Sequence, residues 1–504
     1  MAAKPPDILG NPSHLLDVVL GFNSKADYTS LLSIILSKMM DITFSDAGTL
    51  YLIEEDKLHF HIVKNNTIGI SQITREKAEI DIPPIKLDNT NINNVSAYCA
   101  IHNKTVVVED VYTDDRFDFY GPKEYDRMTG YRTRSMLVVP LTAGVKEDEE
   151  ILGVIQLLNA THPGTGMPIS FNDNYDLDIV NALAKIAANT LANLIHVKDI
   201  NLLFHSFVKV MTQAIDERSH STRYHTQNVS HYCTVFTEYL STQFPVGHKF
   251  HFDENHRDRL SMAALLHDVG KIGTPTRILD KSSRLSSGQM DAIKYRFEIK
   301  RYQLKVDKLT GTLSEEDYKG TLSDLEKSLK MIELLNLAKQ LTDGEYKVIQ
   351  KLTKLRYIDS SGNESPMLAE ADVEALSIAR GNLTSPEWDI MREHVSATGR
   401  ILDQITFWKY YKDVSSWSKD HHEFLDGTGY PKGLKGDEIA TETCIITMMD
   451  IFDALTTTDR PYRVSMPPAK AVGVLQKMAD EGKLHSELVE VFIKSGLWEG
   501  MTVR

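Results

Sequence analysis

Two adjacent histidines open the stretch HHEFLDGTGYPKG at residues 421–433, directly before a glycine-rich turn. The same half of the chain carries more side chains of the types that bind metal ions: His225, His267, Asp268, His394 and Asp450. Imidazole and carboxylate groups without a thiolate suit borderline or harder divalent ions such as Fe, Mn or Zn. Each residue alone has a plain alternative as a surface or satisfied core residue. Together they predict a metal site.

The stretch AALLHDVGKIG indicates how such a site is buried. An apolar run, residues 263–266, leads directly into His267 and Asp268. Burying a carboxylate at the end of an apolar helix costs several kcal/mol unless another group compensates its charge. A cation held by both side chains would do so, and an ion pair between Asp268 and Lys271 is the alternative.

Three separated strings carry a family resemblance: HDVGK at 267–271, HHEFLDGTGYP at 421–431 and DIFDALTTTDRPYR at 450–463. They resemble the HD-GYP subgroup of the HD phosphohydrolase superfamily. The resemblance covers residues 217–504 apart from an insertion. It implies an all-helical domain that hydrolyses the bacterial messenger cyclic di-GMP to linear pGpG or onward to GMP. The expected cofactor is a centre of two or three divalent ions, commonly iron or manganese.

The resemblance also implies roles for individual residues. One ion would be held by His225, His267, Asp268 and Asp450, and a second by His394, His421 and His422, with Asp268 bridging the two. Asp268 and Lys271 would be the catalytic residues. The substrate-binding residues would be Lys271, Tyr430, Asp453, Arg460 and Arg463. For the two arginines, solvated charges at a helix end are the alternative.

In the HD-GYP family a characteristic segment precedes the fourth metal-ligand position. Two segments of this chain resemble it. RLSSGQMDAIKYR offers Arg296 at the ligand position, whereas NLTSPEWDIMREH offers His394. A cationic side chain cannot ligate a metal ion. We therefore interpret residues 282–382 as a helical insertion without a ligand set of its own.

One departure from the family bears on the number of ions. Relatives with three metals have a glutamate four residues before the first histidine, where this chain has Ser221. Glu217 lies eight residues before His225, which is about two turns away and rotated by roughly 80° around a helix. We therefore expect two ions, with Glu217 as a possible ligand of a third.

Residues 25–170 mix helical and strand patterns. Alternating runs surround Glu54, Glu55 and Asp56, and a second pair of strand-like runs lies within residues 135–159, so two hairpins of an antiparallel sheet are expected. This region resembles a GAF domain. It has only part of a cyclic-nucleotide motif, at Asn159, Phe171, Tyr175 and Asp176, so a small-molecule ligand such as a cyclic nucleotide is uncertain. A dimerising domain without a ligand is the alternative.

A long helix without Gly or Pro is expected over residues 174–217. Apolar residues recur in it at alternating steps of three and four, as in a coiled coil: Leu177, Val180, Ala184, Ala187, Leu191 and Leu194. We predict a helix over 171–217 that connects the domains and pairs two subunits in a homodimer. An amphipathic helix packed on its own domain is the alternative.

Composition sets the remaining limits. A chain of 504 residues favours two or three domains, here an N-terminal segment 1–24, the GAF domain, the connecting helix and an HD-GYP domain over 218–504. The net charge of −14 does not indicate a basic surface that would bind duplex nucleic acid or an anionic membrane. Three widely separated cysteines indicate a reducing compartment. No signal peptide and no apolar stretch of ~20 residues is present, so a cytoplasmic protein is expected.

The expected function is a cyclic di-GMP phosphodiesterase regulated by its GAF domain. Two alternatives stay open: a phosphodiesterase for another cyclic dinucleotide, such as a mixed GMP-AMP messenger, and a receptor that binds cyclic di-GMP without hydrolysing it.

Overall fold

A computed structural model describes residues 12–22, 28–74, 83–145, 148–162, 164–172, 177–218, 224–406, 410–457 and 465–501. The chain divides into two compact units, Met1–Leu203 and Phe204–Arg504, and each is described by itself.

The first unit is built on an antiparallel sheet. Its strands are β1 (Ser45–Glu54), β2 (Lys57–Asn65), β3 (Ile70–Thr74), β4 (Ile85–Lys86), β5 (Val106–Val108), β6 (Met136–Ala143) and β7 (Glu150–Ala160). They pair in the order β3-β2-β1-β7-β6-β5, and β4 also pairs with β2. The fold class expected for this region, an antiparallel sheet with flanking helices, is confirmed.

Both expected hairpins are present. Strands β1 and β2 pair through Glu54 and Lys57, and the turn residues Glu55 and Asp56 both have positive φ, as a tight hairpin turn requires. Strands β6 and β7 pair from Met136 opposite Leu158 to Ala143 opposite Glu150.

Helices flank this sheet: α1 (Pro12–Phe22), α2 (Tyr28–Thr43), α3 (Val95–His102), α4 (Tyr120–Thr129) and the start of α5 (Leu177–Asp216). One core lies between the sheet and helices α1, α2 and α5. Val180, Ala184, Ala187 and Leu191, from the expected coiled-coil seam, are fully buried in this core. The assignment of this part of the seam to subunit pairing was therefore wrong, because the unit's own sheet and helices already cover it.

The second unit is largely helical. Outside the insertion, its helices are α6 (His225–Gln243), α7 (Glu254–Leu266), α8 (Thr276–Leu279), α13 (Ser385–Leu402), α14 (Val414–Lys419), α15 (Thr441–Thr456), α16 (Pro468–Asp480) and α17 (Ser486–Ser495). Short 3-10 turns follow α7 at Val269–Gly273 and precede α15 at Gly436–Glu438. Helices α6, α7 and α15 carry about half of the buried apolar residues of this core.

The expected insertion forms a subdomain with a hydrophobic core of its own. It contains α9 (Ser287–Leu309), α10 (Glu315–Leu337), α11 (Asp343–Leu352), α12 (Glu370–Leu376) and a hairpin of β8 (Arg356–Ile358) and β9 (Glu364–Pro366). The hairpin corrects the expectation that the insertion and its domain are purely helical. The two ends of the insertion lie together, because the Asn382 side chain donates to the Lys281 carbonyl.

Within the described residues, no helix combines the length and the apolar character that crossing a membrane requires.

Candidate metal centre

The predicted ligands come from the ends and inner faces of different helices of the second unit. His225 is the first residue of α6, and His267 and Asp268 directly follow α7. His394 lies within α13 and Asp450 within α15. His421 and His422 follow α14, and the ring of His421 lies 4.7 Å from that of His267. Residues separated by more than 200 positions therefore meet in one place.

Three of the histidines are oriented by backbone carbonyls. Nδ1 of His267 bonds the Ala264 carbonyl at 2.7 Å, and Nδ1 of His394 and of His421 make equivalent bonds at 2.6 Å, to Met391 and Ser418. Each ring thereby directs Nε2 into the cluster. Fixing one ring nitrogen in this way is typical of metal-binding histidines.

The ligand atoms that point into the cluster lack hydrogen-bond partners among the described residues. Nε2 of His267, His394 and His421 and Oδ1 of Asp268 are buried and have no hydrogen-bond partner among the described residues. Leaving a buried polar atom unsatisfied costs about 1–3 kcal/mol, and more when it is charged. Four such atoms in one cluster are the pattern that bound cations would satisfy, so the residues fit a metal centre.

Asp268 stands between two groups of ligands. Its Oδ2 lies 3.4 Å from His225 Nε2 and 3.2 Å from His267 Nε2. Its Oδ1 lies 3.4 Å from His394 Nε2 and 3.9 Å from His421 Nε2. Each oxygen thus faces a different group, as a bridging carboxylate requires.

Two sets of side chains each have ligand atoms within 4.8 Å of one another: His225, His267 and Asp450, and His394, His421 and His422. A third set, His267, Asp268 and His421, joins them. The structure therefore brings together every residue that the sequence predicted as a ligand, in the predicted grouping. Binding of metal by them remains a prediction.

The protonation states of the candidate ligands favour the binding of cations. Burial lowers the pKa of His394, lowers that of His421 well below its ordinary value, and lowers that of His422 to about 4. Burial alone would raise the pKa of Asp268, but the charges of Lys271 and His267 hold it well below its usual range. Neutral imidazoles and ionised carboxylates are the forms that bind metal ions.

The pKa of His225 also reflects the negative charge of the nearby carboxylates. Burial alone would lower its pKa, but hydrogen bonds to Asp268, Asp450 and Asp453 raise it well above the ordinary value. Three carboxylates thus favour positive charge at this point in the protein.

A glycine and a threonine hold α13 against the turn that carries Asp268. A side chain at Gly270 would place its Cβ 2.0 Å from the His394 carbonyl oxygen, so only glycine allows this approach. The hydroxyl of Thr398 accepts from the Gly270 amide at 3.0 Å and donates to the His267 carbonyl at 3.1 Å. Gly270 lies within the HDVGK string, whereas no signal in the sequence pointed to Thr398.

The glycine-rich loop folds back over His422. The ring of Tyr430 lies 4.8 Å from the ring of His422. A Cβ at Gly429 would come within 2.4 Å of the Phe424 amide nitrogen, which explains a glycine there. Glu423, which is buried, accepts from the amides of Lys432 at 2.6 Å and Leu434 at 3.0 Å. The sequence interpretation overlooked this role, although Glu423 is part of the quoted motif.

Lys271 forms an ion pair with Asp268 and retains partial exposure. The alternative considered from the sequence, an ion pair between these residues, is therefore present. That ion pair leaves Nε2 of His267, His394 and His421 without a hydrogen-bond partner among the described residues.

Asp453 does not have the position expected for a substrate contact. It is fully buried, and its oxygens bond His225 Nδ1 at 2.7 Å and the Asn228 side chain at 3.0 Å. Both oxygens are engaged behind His225, so the expectation was wrong. Asp453 orients His225, as carboxylates commonly orient metal-binding histidines.

The third-metal candidate also needs correction. Glu217 is exposed, whereas its neighbour Asp216 is buried and accepts from the Thr226 hydroxyl at 2.9 Å. Burial raises the pKa of Asp216 to about 6. Ser221, Arg460 and Arg463 lie outside the described residues.

In the first unit, the residues of the partial cyclic-nucleotide motif have structural roles. Asn159 has positive φ, and its Oδ1 accepts from the Arg134 amide at 2.7 Å while its Nδ2 donates to the Arg132 carbonyl at 2.7 Å. Phe171 is buried in the core. Tyr175 and Asp176 lie outside the described residues.

Comparison with protein families agrees with this organisation. The GAF domain family matches residues 27–191. Two families described as HD domain match residues 222–352 and 371–488.

Curated relatives match over short regions. A "3'3'-cGAMP-specific phosphodiesterase 3" of Vibrio cholerae is 43% identical over 97 residues, which are 19% of this chain and 20% of the relative. A "Cyclic di-GMP phosphodiesterase" of Thermotoga maritima is 36% identical over 115 residues, 23% of this chain and 30% of the relative. The chain thus spans less than a third of these relatives' lengths. A solved "GAF domain/HD domain protein from Geobacter sulfurreducens" covers 36% of this chain and 97% of its own, with 12% identity and a TM-score of 0.24.

Proposed function

We propose that this chain, a GAF–HD protein of the HD-GYP family, is a metal-dependent phosphodiesterase of cyclic dinucleotides. One observation carries the proposal: four buried ligand atoms without hydrogen-bond partners among the described residues converge at His267, Asp268, His394 and His421. A cyclic dinucleotide offers phosphodiester bonds, and hydrolysing them requires an activated water and neutralisation of phosphate charge. Both needs match a centre of this composition.

The ligands would divide as the sequence predicted. His225, His267 and Asp450 would hold one divalent ion, His394, His421 and His422 a second, and Asp268 would bridge them. When bound, such a pair activates water and absorbs charge on the phosphodiester oxygens. Ligands that are all imidazole or carboxylate suit iron, manganese or zinc. Iron and manganese are the first candidates because of the resemblance to the HD-GYP family.

The chain's own residues complete the site. Lys271 would move from its ion pair with Asp268 to neutralise a phosphate oxygen, which its partial exposure permits. Tyr430, whose ring packs at a tilt beside His422, would contact the substrate from the loop that Glu423 holds. Asp453 would keep Nδ1 of His225 engaged so that Nε2 faces the ion. Arg460 and Arg463 remain candidates for contacts to phosphate or guanine.

Cyclic di-GMP is the first candidate substrate, and linear pGpG is its expected product. A mixed GMP-AMP messenger is the second candidate, because the relative with 43% identity is named as specific for 3'3'-cGAMP. Among the described residues around the centre, none supplies a contact that distinguishes guanine from adenine.

Metal analysis and a product assay on anaerobically purified protein test the proposal. The full chain loaded with iron or manganese should linearise cyclic di-GMP or cGAMP, and replacing Asp268 by Ala should abolish turnover while the circular dichroism spectrum stays unchanged. Binding of nucleotide without turnover under every metal would favour a receptor. Turnover in the Asp268→Ala protein would refute the bridging role.

The metal count has its own test. We retain two ions per chain, and Asp216 replaces Glu217 as the candidate ligand of a third because Asp216 is the buried carboxylate. Elemental analysis giving three ions in the wild type and two in Asp216→Asn would establish a third site. Two ions in both proteins would leave Asp216 without a role in metal binding.

Regulation would pass through α5, whose second half exposes apolar residues. Ile200, Leu203, Phe207 and Val210 follow steps of three and four and are 59–71% exposed. This exposed face would pair α5 with α5 of a second subunit in a homodimer. The face at residues 180–191 would not, because it is buried in its own unit. A Phe207→Glu substitution should then lower the average mass in solution relative to the wild type. A small ligand of the GAF domain would act by favouring one arrangement of these helices.

A further inference from the structure

Helix α9 of the insertion is apolar on two opposite faces. One face packs in the core of the insertion through Ile293, Phe297 and Leu304. The other face carries a row of large apolar side chains that are 41–75% exposed. We call this row the α9 seam, and its members are Tyr295, Ile299, Tyr302, Val306 and Leu309.

The spacing of the α9 seam is regular. Successive members are separated by four, three, four and three residues, which is the repeat of the residues that meet in a coiled coil. Isolated exposed apolar residues are common on protein surfaces and need no explanation. A complete row with this repeat along a helix of 23 residues fits another helix of the same kind.

We propose that the α9 seam binds the α9 seam of a second copy of this chain, with the two helices antiparallel. Centring the pair between residues 300 and 301 places Ile299 opposite the partner's Tyr302 and Tyr295 opposite the partner's Val306. Leu309 then faces the partner's Ala292. Every layer of the pair is apolar, and the arrangement is symmetric, as a two-fold interface between identical chains requires.

The charges beside the seam favour this direction. Glu298 and Lys305 flank the seam on the same side, one in each half of the exposed stretch. An antiparallel pair with the centre given above places Glu298 beside the partner's Lys305 twice. Lys305 has no ion-pair partner within the described chain. Charged residues at these flanking positions set the partner and direction of coiled coils.

A parallel pair would use the charges less well. Glu298 would then lie beside the partner's Gln303, and Lys305 beside the partner's Thr310. Only the antiparallel direction therefore brings opposite charges together at these flanking positions.

Cross-linking of the full chain through single introduced cysteines tests both the contact and its direction. The three native cysteines are buried, so an introduced thiol on α9 is the reactive one. In the antiparallel pair, Tyr302→Cys lies within three residues of its counterpart along the axis. Leu309→Cys lies 17 residues from its counterpart, which is ~25 Å along a helix. A short bis-maleimide can join the first pair and cannot join the second.

We expect Tyr302→Cys to give covalent dimers in at least about tenfold higher yield than Val246→Cys, because a paired seam raises the effective thiol concentration. Val246 is 85% exposed and lies outside α9, so it reports random collisions. Leu309→Cys should give the same low dimer yield as Val246→Cys. Dimers from both α9 variants would overturn the antiparallel direction, and dimers from neither would overturn the interface.

A second substitution checks that the seam itself causes the link. Adding Val306→Glu to Tyr302→Cys should reduce the dimer yield to the level of the control, whereas adding Val246→Glu should leave it unchanged. Val306 is exposed, so the substitution should not alter the thermal unfolding temperature. An unchanged yield with Val306→Glu would overturn the proposal. Because the readout is a covalent link and not turnover, it is independent of the proposed hydrolase activity.

Discussion

Helices α9 and α13 begin with the same capping pattern and serve different purposes. Ser286 and Gln289 at the start of α9 correspond to Thr384 and Glu387 at the start of α13. In each helix the third-position side chain accepts from the backbone amide of the cap residue, at 2.9 Å in both cases. The local signal that starts a helix is therefore satisfied equally well in both places.

The two helices diverge ten residues after the cap. Arg296 of α9 bonds the buried Asp372 at 2.8 Å and the Met367 carbonyl at 3.1 Å, both within the insertion. His394 of α13 instead lies 3.4 Å from Asp268 in the metal centre, with its Nε2 unsatisfied. A repeated motif therefore indicates a metal ligand only when the side chain at the ligand position can bind a metal ion.

The largest expected effect separates these two positions. His394→Ala should reduce hydrolysis to background and lower the metal content, because it removes a ligand that no neighbour replaces. Arg296→Ala should leave hydrolysis and metal content unchanged and only destabilise the insertion. Product assays and elemental analysis on both proteins measure this. Equal loss of activity in both would contradict the division of roles between α9 and α13.

A second substitution alters the approach of α13 to the centre. In Gly270→Ala, the added Cβ would clash with the His394 carbonyl and push α13 away. A displacement of ~1 Å at a catalytic group can cost about 10²-fold in rate. We therefore expect about a 10²-fold lower turnover with the fold retained. Gly288→Ala at the start of α9, where nothing lies near the added atom, is the matched control.

Thr398 tests the hydrogen bonds that hold α13 in place. Thr398→Val removes the bonds to Gly270 and His267, so metal affinity should fall by about 10–100-fold, as is typical when residues that support metal ligands are lost. Lys300 occupies the corresponding position of α9, and Lys300→Ala should not change metal affinity. Competition with a chelator gives the measurement, and equal affinities would argue against the role of Thr398.

The smallest effect concerns stability alone. Glu387 bonds the ammonium group of Lys281 at 2.6 Å, and the Lys281 side chain is only 5% exposed. Glu387→Ala leaves this buried charge unpaired, so we expect it to cost about 3 kcal/mol of unfolding free energy. Gln289→Ala, the matching change in α9, removes the cap bonds and two longer bonds, to the Ala371 carbonyl at 3.4 Å and to Asp372 at 3.3 Å. It leaves no buried charge unpaired, because Asp372 keeps its ion pair with Arg296, so it should cost about 1 kcal/mol. Denaturant unfolding of both proteins distinguishes these values.

The convergence of the candidate ligands was predictable because they are few residue types in recognisable strings. The HDVGK and HHEFLDGTGYP strings pointed to His267, Asp268, His421 and His422, and all of them meet in the structure. The contrast between Arg296 and His394 identified α13 from sequence alone. Asp453 was misassigned because its place in a motif does not reveal that both oxygens face inward.

The connecting helix shows the limit of periodicity. The spacing of Val180, Ala184, Ala187 and Leu191 predicted an apolar seam correctly but assigned it to the wrong neighbour. The sheet and helices of the same unit cover that seam, whereas the exposed apolar row lies further along α5. A repeat of three and four residues specifies a helix with an apolar face and says nothing about what covers it.

The amino-acid sequence by itself determined the main helices, the two hairpins of the first unit, the ligand types and the strings that hold them, because these depend on neighbouring residues. The tertiary structure alone decided that Asp268 lies between two groups of histidines, that Asp216 and not Glu217 is buried, and that α9 keeps a second apolar face exposed. Such facts depend on contacts between residues far apart in the chain, and only the packing of complete helices fixes those contacts.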